Sequence, residues 1–221
     1  MKNCIITISR EYGSGGRDIG RKLAEELGLP LFDKEIMHMA LERSGMSEDF
    51  VEKHNDSVPN KFMLNFYRLA LNVPSVKIPS GFNSHVAAAS ALPAAKNNLT
   101  DADKLFNVQA TVIREIASNG GCVIVGRCAG YILRNNPSLL SVFIQGKIDD
   151  RIKRTVEIYG RAEKDAFSEV KKIDKSRANY YKLHTGQRWG ELQNYDLVIN
   201  SSYTDIEGAV NVIKAMAEAK K

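Results

Sequence analysis

Ile5-Ile6-Thr7-Ile8-Ser9 leads straight into Arg10-Glu11-Tyr12-Gly13-Ser14-Gly15-Gly16-Arg17-Asp18, and a stripe of Ile19, Leu23, Ala24 and Leu27 follows before Gly28. The opening run is apolar without alternation, the pattern of a strand buried on both faces. The stripe has helical spacing and stops on a glycine. A glycine-rich turn between strand and helix presents backbone N–H groups and a helix N-terminus to an anion. Gly13, Gly15 and Gly16 let the backbone come close to a phosphate, although the same cluster also serves as a tight turn with a helix cap.

Outward from this unit, short β-branched runs alternate with helical patterns, which predicts an α/β fold with a parallel sheet. Strands are expected at Ile5 to Ser9, Leu31-Phe32, Cys122 to Val125, Ser141 to Gln145 and Asp196 to Asn200. Leu105, Val108, Val112, Ile113, Ile116 and Ala117 form a long helical stripe, opened by a capping box at Thr100 to Asp103 and closed at Gly120-Gly121. The last helix is expected to be capped in the same way by Thr204 and Glu207. Two stretches fall outside this rhythm. Ser57 to Asn98, with Pro59, Pro74, Pro79, Gly81 and Pro93, reads as an irregular helical insertion, and Asp149 to Gly190 as a basic helical flap.

The chain has 221 residues, enough for one α/β domain over 1–221, and is 43% hydrophobic. Its 31 Lys and Arg against 26 Asp and Glu leave +5, without the long single-sign runs of nucleic-acid tails. A phosphorylated small ligand fits that balance, and no nucleic-acid motif is visible. No apolar run reaches the ~18 residues of a membrane-spanning helix. Lys2 runs directly into the first strand with no separate apolar leader, so a cytoplasmic protein is expected. Cys4, Cys122 and Cys128 are odd in number and lack a C-x-x-C, and the four histidines are scattered. That disfavours a disulfide framework and a zinc site, and predicts buried, reduced thiols.

The loop departs from the phosphate-binding consensus G-x-x-x-x-G-K-[ST], whose Lys neutralises the β- and γ-phosphates and whose hydroxyl holds Mg²⁺. With the loop set without a gap against the orthodox cytidylate kinase loop, which it resembles, Gly16 stands where the Lys belongs, Arg17 follows one residue later, and Asp18 replaces a Thr. The sequence I-S-R-E-Y-G-S-G-G-R resembles the loop of the cytidylate kinase-like family of nucleoside monophosphate kinases. The likeness continues through D-K-E-I from Asp33, G-G-C-V-I-V-G-R from Gly120, V-F-I-Q-G-K-I-D-D-R-I-K-R from Val142 and D-L-V-I-N-S-S-Y-T-D from Asp196, and so covers most of the chain. Cys128 replaces the aspartate of that family's G-R-D, and Val125 replaces an acidic residue before it.

The resemblance implies a three-layer P-loop-type fold with a five-stranded parallel sheet, an acceptor-side helical insertion at about 36–104 and a lid at about 149–190. It implies a phosphotransferase that moves the γ-phosphoryl of ATP, with Mg²⁺, to a nucleoside monophosphate such as cytidylate. Gly13, Ser14, Gly15, Gly16, Arg17 and Asp18 would hold ATP, and Asp18 is also the candidate metal ligand, unless it serves only the helix dipole. Arg17, with Arg10 and Arg21 as lesser alternatives, would supply the cation over the phosphates, and Arg17 with the lid residues Arg151 and Arg154 would stabilise transferred charge. Three apart on a helix, the latter two share a face, which suits either a triphosphate or an exposed surface paired with Asp149, Asp150 or Glu157. Asp33, Arg127, Asp174 and Arg177 would bind substrate; Arg127 ends an apolar run at the carboxyl edge where open parallel sheets bind ligands, and Asp33 is equally suited to capping a helix. Two alternatives stay open: a nucleotide-binding regulatory module without catalysis, since the Lys is missing, and a kinase for another small phosphate acceptor. The oligomeric state is open.

Overall fold

The apolar runs become strands because both of their faces are covered. In a computed structural model, which describes residues 3–33, 35–44 and 100–220, these runs are β1 (Ile5–Arg10), β2 (Leu31–Phe32), β3 (Cys122–Val125), β4 (Leu139–Gln145) and β5 (Leu197–Asn200). They form one sheet in the order β2-β3-β1-β4-β5. Every pairing is parallel, with Ile5 opposite Cys122 on one side and Leu139 on the other. The helices are α1 (Gly16–Leu27), α2 (Glu35–Ser44), α3 (Asp101–Ser118), α4 (Ala129–Ile132), α5 (Ile148–Glu157), α6 (Glu163–Thr185) and α7 (Ile206–Ala219).

One face of the sheet packs Ile6, Ile8, Val123, Val142 and Ile144 against Ile19 and Leu23 of α1 and Val210 and Ile213 of α7. The other packs Ile5 and Ile124 against Val112, Ile113 and Ile116 of α3, Ile132 of α4 and Tyr181 of α6. Each such side chain contributes ~1.5–3 kcal/mol when fully buried, so the two stripes visible in the sequence hold the three layers together. Among the described residues no helix is long and apolar enough to cross a membrane. Cys122 and Cys128 are buried, Cys4 is half-buried, and all three are free thiols.

The Thr100 capping box forms as expected: the Thr100 hydroxyl accepts from the Asp103 N–H and the Asp103 carboxylate accepts from the Thr100 N–H. The last helix corrects the expectation. Asp205, not Thr204, is its cap, and its carboxylate accepts from the Gly208 N–H at 2.7 Å. β5 starts at Leu197 rather than Asp196; beside it the Asp196 N–H donates to the Ser141 carbonyl at 2.9 Å, while the Ser141 N–H donates to the Asp196 carboxylate at 2.8 Å instead of to a backbone carbonyl. β1 runs one residue further than expected, to Arg10, and β4 starts earlier, at Leu139. The basic flap resolves into two helices, α5 and α6. The expected insertion at Ser57 to Asn98 lies outside the described residues.

After β1 the chain passes to α1 on one face, and after β3 to α4 on the other. The carboxyl ends of these neighbouring strands therefore frame the crevice in which open parallel sheets bind ligands.

Candidate active site

The glycine loop occupies the β1 side of this crevice. Gly15 caps α1 in a left-handed conformation, and the first N–H groups of the helix have no intrahelical acceptor to serve. Together they make an anion cradle. The Ser14 hydroxyl is buried and donates to the Glu11 carbonyl at 2.9 Å, so it shapes the turn. From α5, the Arg154 guanidinium carbon lies 3.2 Å from where a β-carbon on Gly15 would stand. Asp18 sits in the first turn of α1, 3.3 Å from Arg21. Among the described residues no cluster of three or more His, Cys, Asp or Glu forms a metal centre.

Arg151 is found beneath the loop. Only 6% exposed, it donates through Nε to the Tyr12 carbonyl at 2.8 Å and pairs with Glu11 at 3.1 Å and with Asp174. Asp174 in turn accepts from the Tyr12 N–H at 2.8 Å, and Glu11 accepts from the Gly146 N–H at 2.9 Å. Both polar groups of the Tyr12 peptide are thus held by one ion pair between α5 and α6. Burial pushes the Glu11 pKa up, opposed by the Gly146 N–H and by Arg151.

Arginines gather where β1 and β3 end. A cavity of about 90 Å³ is lined by Arg10, Arg127 and Arg177, with Ser9, Cys128, Tyr180, Tyr181 and Trp189 among its other walls and no carboxylate among the described residues. Gly126, Arg127 and Cys128 have φ of 82°, 59° and 55°, three successive left-handed residues that turn the chain sharply beside it. The Arg177 guanidinium donates to the Arg10 carbonyl at 2.9 Å and lies 5.6 Å from the Tyr12 ring centre. Burial and the like charge of Arg10 lower its pKa to about 9, with Asp174 and Asp33 opposing, and it stays cationic at neutral pH. The Cys128 thiol is pushed up to about 12 by burial, so this wall of the cavity is not nucleophilic.

Asp33 closes the arrangement from the end of β2. Arg17 reaches its Oδ2 through Nε at 2.6 Å and through a terminal nitrogen at 2.5 Å, and Arg10 lies 3.6 Å from Oδ1. Burial raises the Asp33 pKa, but Arg10 and Arg17 outweigh it and hold the carboxyl below its usual range. Burial lowers the pKa of Arg10, and Asp33 is the charge that opposes this. What the arrangement offers chemically is a backbone anion cradle joined to a cationic cavity, the two parts a phosphoryl donor and an anionic acceptor need.

The profile of the cytidylate kinase-like family matches residues 5–203. The chain belongs to that family. It is 23% identical to a cytidylate kinase from Pyrobaculum aerophilum, over 94% of this chain and 89% of that protein. It is 31% identical to a cytidylate kinase from Pyrococcus horikoshii over 46% of this chain and 52% of that protein. Among solved structures, an uncharacterized protein from Eubacterium ventriosum matches with TM-score 0.65 and 28% identity, covering 97% of this chain and 98% of that one. Shikimate kinase from Bacteroides thetaiotaomicron shares the fold, with TM-score 0.51 and 13% identity over 97% of this chain and 98% of that one.

For this cytidylate kinase-like chain the structure distributes the residues singled out in the sequence among four places. Gly13 to Asp18 and Arg154 surround the loop, while Arg127 and Arg177 line the cavity. Arg17 lies on Asp33, and Arg151 and Asp174 lie on the Tyr12 peptide. The sequence reading gave no weight to Glu11 and Tyr12, whose roles are backbone contacts with residues far along the chain. Arg10, weighed in the sequence only as a lesser alternative to Arg17, ends the apolar strand β1 and lines the cavity. Gln109 is buried, with the Tyr180 hydroxyl 3.5 Å away.

Proposed function

We propose that the protein is a nucleoside monophosphate kinase that transfers the γ-phosphoryl of ATP to a cytidylate-like acceptor. The observation that carries this reading is the cavity lined by Arg10, Arg127 and Arg177 next to the glycine loop, a site for an anionic acceptor beside a site for a phosphorylated donor. In the reaction an acceptor phosphate oxygen attacks Pγ while the bond from Pγ to the β,γ-bridging oxygen breaks, giving ADP and a nucleoside diphosphate. A dianionic acceptor needs no base. Catalysis then rests on alignment and on cations meeting the charge of the transferred group.

In this reading the loop amides from Gly13 to Asp18 cradle the donor phosphates, and Arg154 approaches them from the lid side. Arg127 and Arg177 receive the acceptor phosphate, and Asp33 holds Arg17 at the acceptor side. Asp18, in the first turn of α1 beside the loop, is the carboxylate that would hold a Mg²⁺ ion bound with ATP, which would supply charge neutralisation there.

A second reading, a nucleotide-binding module without transfer, is favoured by Gly16 in the lysine position. Incubation with ATP, Mg²⁺ and a panel of ribo- and deoxyribonucleoside monophosphates separates the two. The kinase forms ADP and a nucleoside diphosphate in equal amounts, whereas the module binds ATP and forms neither.

A further inference from the structure

The consensus G-x-x-x-x-G-K sets a glycine five residues before its second glycine and a lysine directly after it. With Gly15 as the second glycine, the first falls on Arg10 and the lysine on Gly16. A glycine and a cation have thus traded places. The structure shows why the two changes go together. A β-carbon on Gly16 would stand 2.6 Å from Cβ and 3.1 Å from Cγ of Arg10, closer than non-bonded carbons tolerate. The Arg10 stem fills the space that a side chain at position 16 would enter. Its head continues to Gly126, whose left-handed φ of 82° favours glycine and where an added β-carbon would meet the guanidinium.

Arg10 therefore runs from beneath the start of α1, where donor phosphates would rest, to the wall of the arginine-lined cavity, where an acceptor would sit. Asp33, 3.6 Å away, steadies it there. Arg17, the other arginine of the loop, is engaged side-on by Asp33. We propose that Arg10 is the catalytic cation of this loop, delivering from the end of β1 the positive charge that a lysine at position 16 would otherwise deliver from the start of α1. The assignment deepens the kinase reading and rests on it for the chemical step, though not for phosphate binding. A guanidinium suits the position because it can face two phosphate groups through different nitrogens, where an ammonium is a point charge.

The test is an exchange of the two residues in the full-length protein, with folding checked by circular dichroism and thermal unfolding. Arg10→Gly, Arg10→Met, Gly16→Lys and the double variant Arg10→Gly/Gly16→Lys are compared for kcat and, by calorimetry, for the Kd of ATP and of inorganic triphosphate. Arg10→Met keeps most of the volume while losing the charge, so a folding defect in Arg10→Gly leaves the test standing. The expected losses for Arg10→Gly and Arg10→Met are about 100-fold or more in kcat, the scale seen when a transition-state charge stabiliser is removed. Triphosphate affinity should fall about tenfold. Gly16→Lys alone should also lose activity, because the new side chain meets the Arg10 stem, while the double variant should recover to within about tenfold of wild type. Wild-type kcat in folded Arg10→Met, or a double variant no better than Arg10→Gly in both kcat and triphosphate affinity, would overturn the proposal. If the wild-type protein turns over no acceptor, the kinase reading fails. The triphosphate affinities then decide the role of Arg10: a tenfold loss regained on exchange upholds it, and unchanged affinity removes it.

Discussion

Arg17 and Asp33 are joined side-on, with two nitrogens of the guanidinium within 2.6 Å of a single carboxylate oxygen. The pair links the first turn of α1 to the end of β2 and keeps Arg17 at the β2 side of the crevice. Arg17→Ala is therefore expected to raise the KM for the acceptor more than the KM for ATP, with a smaller fall in kcat. A selective rise in the KM for ATP would put Arg17 over the donor phosphates instead. Steady-state kinetics with each substrate varied in turn decides between them.

Arg151 acts on the loop from below. Replacing it with Met leaves Asp174 and Glu11 without their shared counter-charge and the Tyr12 carbonyl without its donor. Breaking such a buried pair costs about 3–5 kcal/mol, so the variant should unfold at a markedly lower temperature. Arg151→Lys should recover part of that stability but not the three-way contact. A thermal midpoint for Arg151→Met equal to wild type would mean that the loop does not depend on the clamp.

Arg154, unlike Arg151, is half-buried and faces the loop at Gly15. Its removal should leave the thermal midpoint within a few degrees of wild type and lower kcat roughly 100-fold, as for the loss of one charge-stabilising group. An unchanged kcat would return it to the lid surface.

Asp33 makes stability depend on acid. Its pKa is raised by burial but held below the ordinary carboxylate value by Arg10 and Arg17. Stabilisation from a depressed carboxylate is complete above the unfolded-state pKa, about 3.9, and is lost as pH falls through the folded-state value. The stability gap between wild type and Asp33→Asn should be constant from pH 7 to about pH 5 and close below about pH 4. Its plateau should be about 3 kcal/mol, the low end for a broken buried pair because Arg17 is 39% exposed and partly screened. Urea titrations across this range measure it, and a gap that widens in acid would contradict the assignment.

The sheet was legible because its strands are uninterrupted apolar runs and its helices carry stripes with caps at both ends, all short-range signals. Strand order and the opposite departures of α1 and α4 needed the fold, since nothing local in Val123 or Ile8 states which strand lies beside it. At the site, Gly13 to Gly16 were legible from spacing, and Arg127 from its place at a strand end. The Arg151 clamp was not, because its partners Glu11, Tyr12 and Asp174 are brought together only by folding. Nor was the helix cap at Asp205 distinguishable from Thr204, its equally plausible neighbour.

The most direct measurement of the kinase reading is the stoichiometry of ADP and nucleoside diphosphate formed from ATP, Mg²⁺ and each of a panel of nucleoside monophosphates, with no-acceptor and no-metal controls. One ADP per nucleoside diphosphate, fastest with CMP or dCMP, is the predicted result. Tight ATP binding with no acceptor-dependent ADP for any member of the panel would contradict it.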